Sequence, residues 1–301
     1  MPDRRETRRG QAPKTKPRRN TRGLSNTENW EDGERIAKYL ARAGVASRRE
    51  VEAMIERREV RVDGRVLTTP AFKVTGKEDI KVKGKPVKAP EPTRLWLYHK
   101  PSGLITTTQD PEGRRTIFEE LPKSLPRVIT IGRLDLTTEG LLLLTNSGEP
   151  ARALELPETG LERLYRARAH GEATQEVLDT LKQGVQFEDG TRYASIDATL
   201  ERETGANNWI QVKLTEGQNR EVRKALERVG LQVNRLIRTQ YGPFELGDLR
   251  PGAIQEVPAA KMRAALGDVV PASVLPAPQQ ARTPEARRRR AGRGPKPRSI
   301  R

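Results

Sequence analysis

The chain has 301 residues and a formal net charge of +17, from 57 Lys and Arg against 40 Asp and Glu. It contains no cysteine, which excludes disulfide scaffolds, thiolate nucleophiles and zinc sites built on thiolates. Its two histidines, His99 and His170, have no cysteine or second histidine nearby, so we expect no metal site. The longest leucine run, residues 141–144, is far shorter than the roughly 18 apolar residues of a membrane span. The polar N-terminus does not resemble a secretory signal, so we expect a cytoplasmic protein.

The positive charge is concentrated at the two ends of the chain. Residues 1–23 carry nine Lys or Arg and two acidic residues, and residues 271–301 carry nine and one. Both ends are rich in Pro, Gly and Arg, so we predict disordered basic tails over residues 1–33 and 266–301. Such arms suit a polyanion, because each phosphate contact releases condensed counterions. The alternative is a solvated tail that binds any anion.

Residues 34–93 form the first predicted domain, a small basic module. Apolar residues recur at helical spacing over residues 36–43, and Ser47 with Glu50 three residues on makes a capping box for a second helix. Two short alternating runs then flank Asp63-Gly64, which is a strong signal for a β-hairpin. The pattern predicts helix, turn, helix, hairpin and further short strands.

The second predicted domain covers residues 94–265 and is of the α+β class, with a mixed, largely antiparallel sheet. Apolar alternation predicts strands over residues 94–101, 128–131 and 141–145, with helices near residues 174–183 and 220–229. Asp135 then lies on a short loop between two apolar strands, where a rigid sheet can present a catalytic group. Without further context, an Asp in this position is more often a turn former.

The first domain resembles the αL-type RNA-binding domain that occurs in a ribosomal protein of the small subunit, tyrosyl-tRNA synthetases and several RNA-modifying enzymes. The resemblance rests on residues 35–40, 44–49 and 60–64, which arrive in the order of that domain. It implies that the second helix and the hairpin present basic side chains to structured RNA. The implied RNA contacts are Lys38, Arg48 and Arg49, which would otherwise be ordinary solvated helix charges.

The second domain resembles the pseudouridine synthases, within them the ribosomal RNA branch that carries an αL-type domain in front. Residues 132–135 (Gly-Arg-Leu-Asp) with residues 138–146 match the signature of the family. Four further segments follow the order and spacing of the branch: residues 100–103, 164–166, 216–224 and 236–242. The chain departs from the usual pattern at Gln218, where Lys or Arg is common, and at Ser147, where Asp is common.

This resemblance implies an isomerisation of uridine to pseudouridine without a cofactor. The implied nucleophile is Asp135, with Arg223 as the cation that keeps it ionised and oriented. Tyr165 would stack on the base and serve in the final proton transfer, or be a core tyrosine. The sequence leaves three routes open for Asp135: attack on the sugar C1′, attack on the base C6, or elimination of a ribose proton.

Three other basic residues are substrate or RNA-binding candidates by the same resemblance. Arg133 should point toward the substrate, beside a phosphate or the space that the extruded nucleotide leaves. Lys100 is explained equally well as a surface charge before a turn. Arg220 lies in the matched segment 216–224.

The expected substrate is ribosomal RNA or a pre-ribosomal particle. Residues 110–118 and 219–223 favour the large-subunit (23S) enzymes, and the small-subunit (16S) enzyme stays open. The alternative of another class is a non-catalytic ribosome-binding or assembly factor with the same folds. We expect a monomer.

Overall fold

The computed structural model describes residues 33–277, except Gly205 and the side chains of Glu203 and Thr204. The predicted N-terminal tail, apart from Gly33, lies outside the described residues. In chain order the helices are α1 (Ile36–Arg42), α2 (Arg48–Glu56), α3 (Ile117–Glu120), α4 (Gly148–Glu155), α5 (Gln175–Asp179), α6 (Glu221–Arg228) and α7 (Ala259–Leu266), with 3₁₀ turns at Pro157–Thr159 and Thr180–Gln183. The strands are β1 (Glu34–Arg35), β2 (Val60–Val62), β3 (Arg65–Val66), β4 (Lys73–Val74), β5 (Ile80–Val82), β6 (Lys85–Pro86), β7 (Leu95–Lys100), β8 (Ile129–Ile131), β9 (Thr138–Thr145), β10 (Arg163–His170), β11 (Val185–Gln186), β12 (Arg192–Tyr193), β13 (Asp197–Thr204), β14 (Asn207–Leu214), β15 (Gln232–Tyr241), β16 (Phe244–Glu245) and β17 (Ile254–Glu256).

The chain divides into two compact units between Pro90 and Glu91. In the first, α1 and α2 pack beside a small antiparallel sheet of order β3-β2-β5-β6. The side-chain oxygen of Ser47 accepts a hydrogen bond from the Glu50 amide, which caps α2 as the sequence predicts. Asp63 and Gly64 both have positive φ, at 48° and 78°, which is the backbone that a tight two-residue hairpin needs.

The second unit is built on one large sheet. Among the described residues, nine strands join in it, with the main path β13-β14-β10-β15-β9-β7-β17 and with β8 and β16 added at β9 and β15. Within this sheet β9 and β15 run parallel, and the other recorded pairs are antiparallel. The predicted α+β class with a largely antiparallel sheet is confirmed.

Apolar cores cover both faces of the sheet, because successive side chains of β7 and β9 point alternately into one core and the other. Trp96 and Tyr98 belong to one apolar core, whereas Leu95 and Leu97 belong to another. Residues 141–144 of β9 alternate between the same two cores and have no exposed side-chain surface. A strand buried on both faces reads as a continuous apolar run rather than as strict alternation. The leucine run is therefore the centre of the sheet.

Gly140 is required where β9 meets β15. A Cβ atom there would lie 2.2 Å from the Arg238 carbonyl oxygen, and the φ angle of Gly140 is +102°. Any side chain would force the two strands apart. The parallel pairing of β9 with β15, which brings the start of β9 beside Arg238, therefore depends on this glycine.

The C-terminal tail begins later than the sequence suggests. We expect disorder from residue 266, but Leu266 and Val270 are buried in the core beside α7. The Arg263 guanidinium also donates to the carbonyls of Pro276 and Ala277. These few apolar residues near the end of the chain find a groove that only the folded sheet provides, so the described chain packs up to residue 277. The rest of the predicted tail lies outside the described residues.

Candidate active site

Asp135 lies on the loop that joins β8 to β9, as the sequence predicts. The loop leaves the end of β8 through Gly132, which has a φ of +67°, and its amide donates to Glu155 on α4 at 2.7 Å. Asp135 is half-buried, and the side chains of Arg133 and Leu136 on the same loop are exposed. The structure gives its carboxylate no hydrogen-bond or ion-pair partner in the part of the chain that it describes.

The backbone of this loop is held rigidly. Five consecutive carbonyls, of residues 134–138, each accept a hydrogen bond. Their donors, in order, are Thr106 Oγ1 at 2.8 Å, the Thr138 amide at 3.0 Å, the Gly103 amide at 2.8 Å together with Lys100 Nζ at 3.3 Å, Arg223 Nη2 at 3.1 Å and Lys100 Nζ at 2.9 Å. A catalytic group on such a loop needs no reorganisation when substrate arrives. We call these donors the carbonyl clamp.

Lys100 belongs to the clamp and is not on the surface. Its side chain is completely buried, and Nζ donates to the carbonyls of Pro101, Leu136 and Thr138. Burial lowers the pKa of Lys100 to about 8, and the negative charge of Asp135 opposes that shift. Because three carbonyls accept from its Nζ and its side chain has no exposed surface, this position disfavours the predicted RNA contact of Lys100.

Arg223 holds the backbone beside Asp135 instead of the carboxylate itself. Its guanidinium donates to the carbonyls of Thr137 and Val233, and it makes no ion pair with Asp135 within the described chain. Burial lowers the pKa of Arg223, the positive charge of Arg220 lowers it further, and Asp135 raises it. The predicted direct ion pair is therefore absent, while an attraction between the two charges remains.

A cavity of about 930 Å³ opens beside the Asp135 loop. The predicted residues that line it are Asp135, Arg133, Tyr165 and Arg220. Tyr165 is buried in β10 and contributes to the apolar core, so it forms part of the cavity wall. Arg133 and Arg220 are exposed and lie at the rim. Arg220 adopts the left-handed backbone, with φ of 54°, immediately before α6. The cavity is within the range of about 300–1,000 Å³ that small-molecule sites occupy.

The loop before α6 forms another wall of the cavity. Arg163 donates to the carbonyls of Leu161, Thr215 and Glu216, and to the hydroxyl of Tyr241. These contacts fix the chain that carries Arg220.

Glu221, the first residue of α6, is also buried against this cavity. Its carboxylate accepts a hydrogen bond from the Gln218 amide at 2.8 Å. Burial raises the pKa of Glu221 to about 7, the Gln218 hydrogen bond and Arg163 oppose the shift, and Glu216 adds to it. Glu221 therefore changes charge close to neutral pH.

The RNA-contact candidates of the first unit occupy different environments. Arg48 and Arg49 are exposed in the first turn of α2. Lys38 is half-buried on α1 and forms an ion pair with Glu34 at 3.6 Å. The two arginines are available to a ligand, whereas Lys38 is already engaged.

Four cavity or clamp residues have no role in the sequence interpretation: Thr106, Arg163, Glu221 and Arg238. Glu221 and Arg238 lie inside matched segments, so only their position in a motif could have drawn attention to them. Thr106 donates to a carbonyl 28 residues away, and Arg163 donates to carbonyls 52 and 53 residues away as well as to that of Leu161. No local pattern marks the distant contacts.

In the part of the chain that the structure describes, no cluster of three or more His, Cys, Asp or Glu could hold a metal ion. Within the same residues, none of the helices is long and apolar enough to cross a membrane.

Comparison with known proteins agrees with this geometry. The family profile described as RNA pseudouridylate synthase matches residues 94–228, and the S4 domain profile matches residues 34–80. An RNA pseudouridine synthase of Rickettsia felis, named as uncharacterized, is 46% identical over 224 residues, which cover 74% of this chain and 96% of that protein. The ribosomal large subunit pseudouridine synthase B of Salmonella typhi is 44% identical over 219 residues, which cover 71% of this chain and 75% of that protein. A crystal structure titled pseudouridylate synthase has the same fold, with a TM-score of 0.53 at 20% identity over 76% of this chain and 98% of the other.

The second unit thus combines a cavity beside Asp135 with a match to the pseudouridylate synthase profile and with close sequence relatives among these enzymes. The chain belongs to the RNA pseudouridine synthase family, and it is an isomerase.

Proposed function

We propose that this enzyme converts uridine to pseudouridine in ribosomal RNA of the large subunit, and that it acts in the cytoplasm as a monomer. The observation that carries the proposal is the carbonyl clamp, which presents the Asp135 carboxylate to a cavity that Tyr165 also lines. No residue that the structure describes pairs with this carboxylate. The similarity to large-subunit synthases B, at 43–44% identity, supports the choice of substrate.

In the proposed reaction Asp135 supplies the carboxylate that acts on the nucleoside. Lys100, Thr106 and Arg223 hold its loop through backbone carbonyls, so these three are positioning residues. The isomerisation is redox-neutral and keeps every atom of the substrate, so it needs no redox or group-transfer cofactor.

Tyr165 provides the aromatic wall on which the base stacks, and it is the candidate for the final proton transfer. Arg133 and Arg220 contact the RNA backbone at the rim, where both side chains are exposed. The target nucleotide must leave its stack to reach Asp135, which costs a few kcal/mol. Cationic contacts at the rim offset part of this cost.

The S4 domain supplies a second RNA contact through Arg48 and Arg49. Both are exposed side by side in the first turn of α2. Lys38 contributes less, because Glu34 already neutralises part of its charge.

The first test is tritium release from ribosomal RNA fragments that carry 5-tritiated uridine, with large-subunit and small-subunit fragments assayed side by side. We expect release from a large-subunit fragment, and none above background from Asp135→Asn, which keeps the volume but lacks the carboxylate. Asp268→Asn, an exposed residue outside the cavity, is the matched control. RNA affinity should be retained in both variants.

Three outcomes would contradict parts of this proposal. Release only from small-subunit fragments would reassign the substrate, and turnover by Asp135→Asn would remove Asp135 from its role. Binding without release from either fragment or from pre-ribosomal particles would favour a binding or assembly factor.

A further inference from the structure

Arg238, in β15, is a buried cation with an unused hydrogen-bond donor. Its side chain is only 2% exposed, and it lines the same cavity as Asp135 and Tyr165. Its Nε donates to the Leu141 carbonyl at 2.8 Å, and its guanidinium lies 4.9 Å from the centre of the Tyr241 ring. Its Nη2 is buried, and no residue in the described part of the chain accepts a hydrogen bond from it. A charged group with an unpaired buried donor is costly unless a ligand completes its hydrogen bonds.

Arg163 shows what the protein does with a similar guanidinium when it serves the fold. Its guanidinium lies 4.8 Å from the same Tyr241 ring, and it also lines the cavity. Three backbone carbonyls and the Tyr241 hydroxyl accept its hydrogen bonds. Two buried arginines therefore contact one aromatic ring, yet Arg163 is committed to the protein while Arg238 keeps a donor free.

The strand register places Arg238 between the two reactive elements. Its Cα pairs with that of Tyr165 in β10 on one side and with that of Gly140 in β9 on the other. Gly140 has no side chain, and β9 begins where the Asp135 loop ends. A base that stacks on Tyr165 within reach of Asp135 therefore lies beside the Arg238 guanidinium.

We infer that Arg238 donates a hydrogen bond to a carbonyl oxygen of the target uracil and stabilises the negative charge that the base gains during the reaction. This inference rests on the proposed function. Uracil offers O2 and O4 as acceptors, and a guanidinium is a permanent cation with donors only. An interaction that strengthens as charge develops accelerates the step, since it stabilises the transition state more than the bound substrate.

On each route that is open to Asp135, the base gains negative charge that a nearby cation stabilises. When the bond between N1 and C1′ breaks, its electron pair stays on the base and is shared among N1, O2 and O4. Attack on C6 instead places the negative charge on O4. Afterwards C5 bonds to C1′, any bond from Asp135 to C1′ or C6 breaks, and any proton taken from the ribose returns to it. The proton then leaves C5 and N1 is protonated, so all atoms and electrons of uridine are kept. O4 gains negative charge on each of these routes, so a guanidinium that donates to O4 assists all of them.

The depth of Arg238 favours the base over a phosphate. The exposed cations Arg133 and Arg220 occupy the rim, where the RNA backbone passes. Arg238 is almost completely buried, and only the flat, uncharged base can reach that depth without a large desolvation cost.

The test compares Arg238→Met with the wild type on two RNA substrates. The substrates are a fragment with uridine, and the same fragment with 5-fluorouridine, at the position that the wild-type enzyme modifies. The readout is consumption of that nucleoside under single-turnover conditions at saturating enzyme, after digestion to nucleosides. Fluorine withdraws electrons and stabilises the base anion, so the fluorinated substrate depends less on Arg238. We expect a loss of about 100-fold or more with uridine and of about 10-fold with 5-fluorouridine.

The matched control is Arg163→Met, which removes a buried guanidinium from the same ring. It should slow both substrates by equal factors, because its contacts support the fold. Arg238→Lys keeps the charge and most of the volume, so it should show a smaller loss with the same dependence on fluorine. This variant tests the inference if Arg238→Met does not fold. Equal losses on the two substrates, or no loss, would overturn the inference. Absence of wild-type activity on every fragment would instead count against the proposed function.

Discussion

At the scale of single residues, the site is arranged around backbone carbonyls rather than ion pairs. The buried cations Lys100 and Arg223 donate to the loop on which Asp135 lies, and no residue that the structure describes pairs with the Asp135 carboxylate. A carboxylate that accepts no hydrogen bond from the protein keeps its acceptor positions available for the substrate. In the proposed reaction, the clamp therefore positions Asp135 without using its carboxylate.

The clamp predicts a specific defect for Lys100→Met. This change keeps the apolar stem but removes the donors to the carbonyls of Leu136 and Thr138, so the Asp135 loop can shift. We expect the single-turnover rate to fall by about 100-fold, as for small misplacements of a catalytic group, with little change in RNA affinity. Rapid-quench kinetics and filter binding measure the two quantities. Lys123→Met, at an exposed lysine, is the control. A loss of affinity with an unchanged rate would return Lys100 to the RNA contacts.

Glu221 predicts a pH dependence of stability with a definite sign. Burial raises its pKa to about 7 from an ordinary value of 4.5, so the folded protein binds more protons than the unfolded chain between these values. The free energy of unfolding should therefore fall as pH rises from 4.5 to 7, by up to about 3 kcal/mol. Glu221→Gln can accept the Gln218 hydrogen bond without a charge and should lack this decline.

Urea denaturation of both proteins across this pH window checks the prediction for Glu221. Glu227→Gln, exposed on the same helix, controls for the removal of one negative charge. Parallel stability curves for the wild type and Glu221→Gln would show that the Glu221 carboxylate is ionised in the fold.

At the scale of elements, the pairing of β9 with β15 depends on the absence of a side chain at Gly140. Gly140→Ala should destabilise the protein by more than about 4 kcal/mol, since its Cβ would overlap the Arg238 backbone at a positive φ. Thermal unfolding and soluble yield report the effect. Gly190→Ala has a similar φ of +83° but open space around the added atom, so it isolates the conformational cost, about 1–2 kcal/mol. Equal shifts for the two variants would exclude a clash at Gly140.

Elements with local signals were predictable from the sequence, and contacts between distant segments were not. The cap at Ser47, the turn at Asp63-Gly64 and the loop of Asp135 each depend on neighbouring residues, which a single sequence displays. The burial of Lys100 depends on carbonyls 36 and 38 residues away, and the contact of Arg223 depends on one 86 residues away. A lysine at the end of a strand normally faces water, so only the folded sheet shows that it does not.

At the scale of the whole molecule, charge and chemistry are separated along the chain. Residues 94–270 are almost neutral, with 24 basic and 25 acidic residues, while the two termini carry most of the net charge. The cavity can therefore select a nucleotide by shape and local contacts, while long-range attraction to RNA comes from the rest of the chain.

Removal of both basic ends tests this separation. Deletion of residues 1–23 and 278–301 keeps the packed residues up to 277 and removes nine basic residues from each end. We expect weaker RNA binding and a smaller slope of log affinity against log salt, with an unchanged rate at saturating RNA. Titrations at several salt concentrations and single-turnover assays measure these quantities. Identical slopes for the full chain and the shortened chain would show that the ends do not contact this RNA.

The order of strands in the sheet has a consequence for synthesis of the protein. β9, at the end of the Asp135 loop, can pair with β15 only after the ribosome has made about a hundred further residues. The pairing of β7 with β17 forms later still. Such long-range pairings form slowly and only after the intervening chain is available. A nascent chain that has exposed Asp135 therefore has neither Arg238 nor a closed cavity. On the proposed mechanism, we therefore expect the chain to gain activity only after almost all of the second unit has emerged.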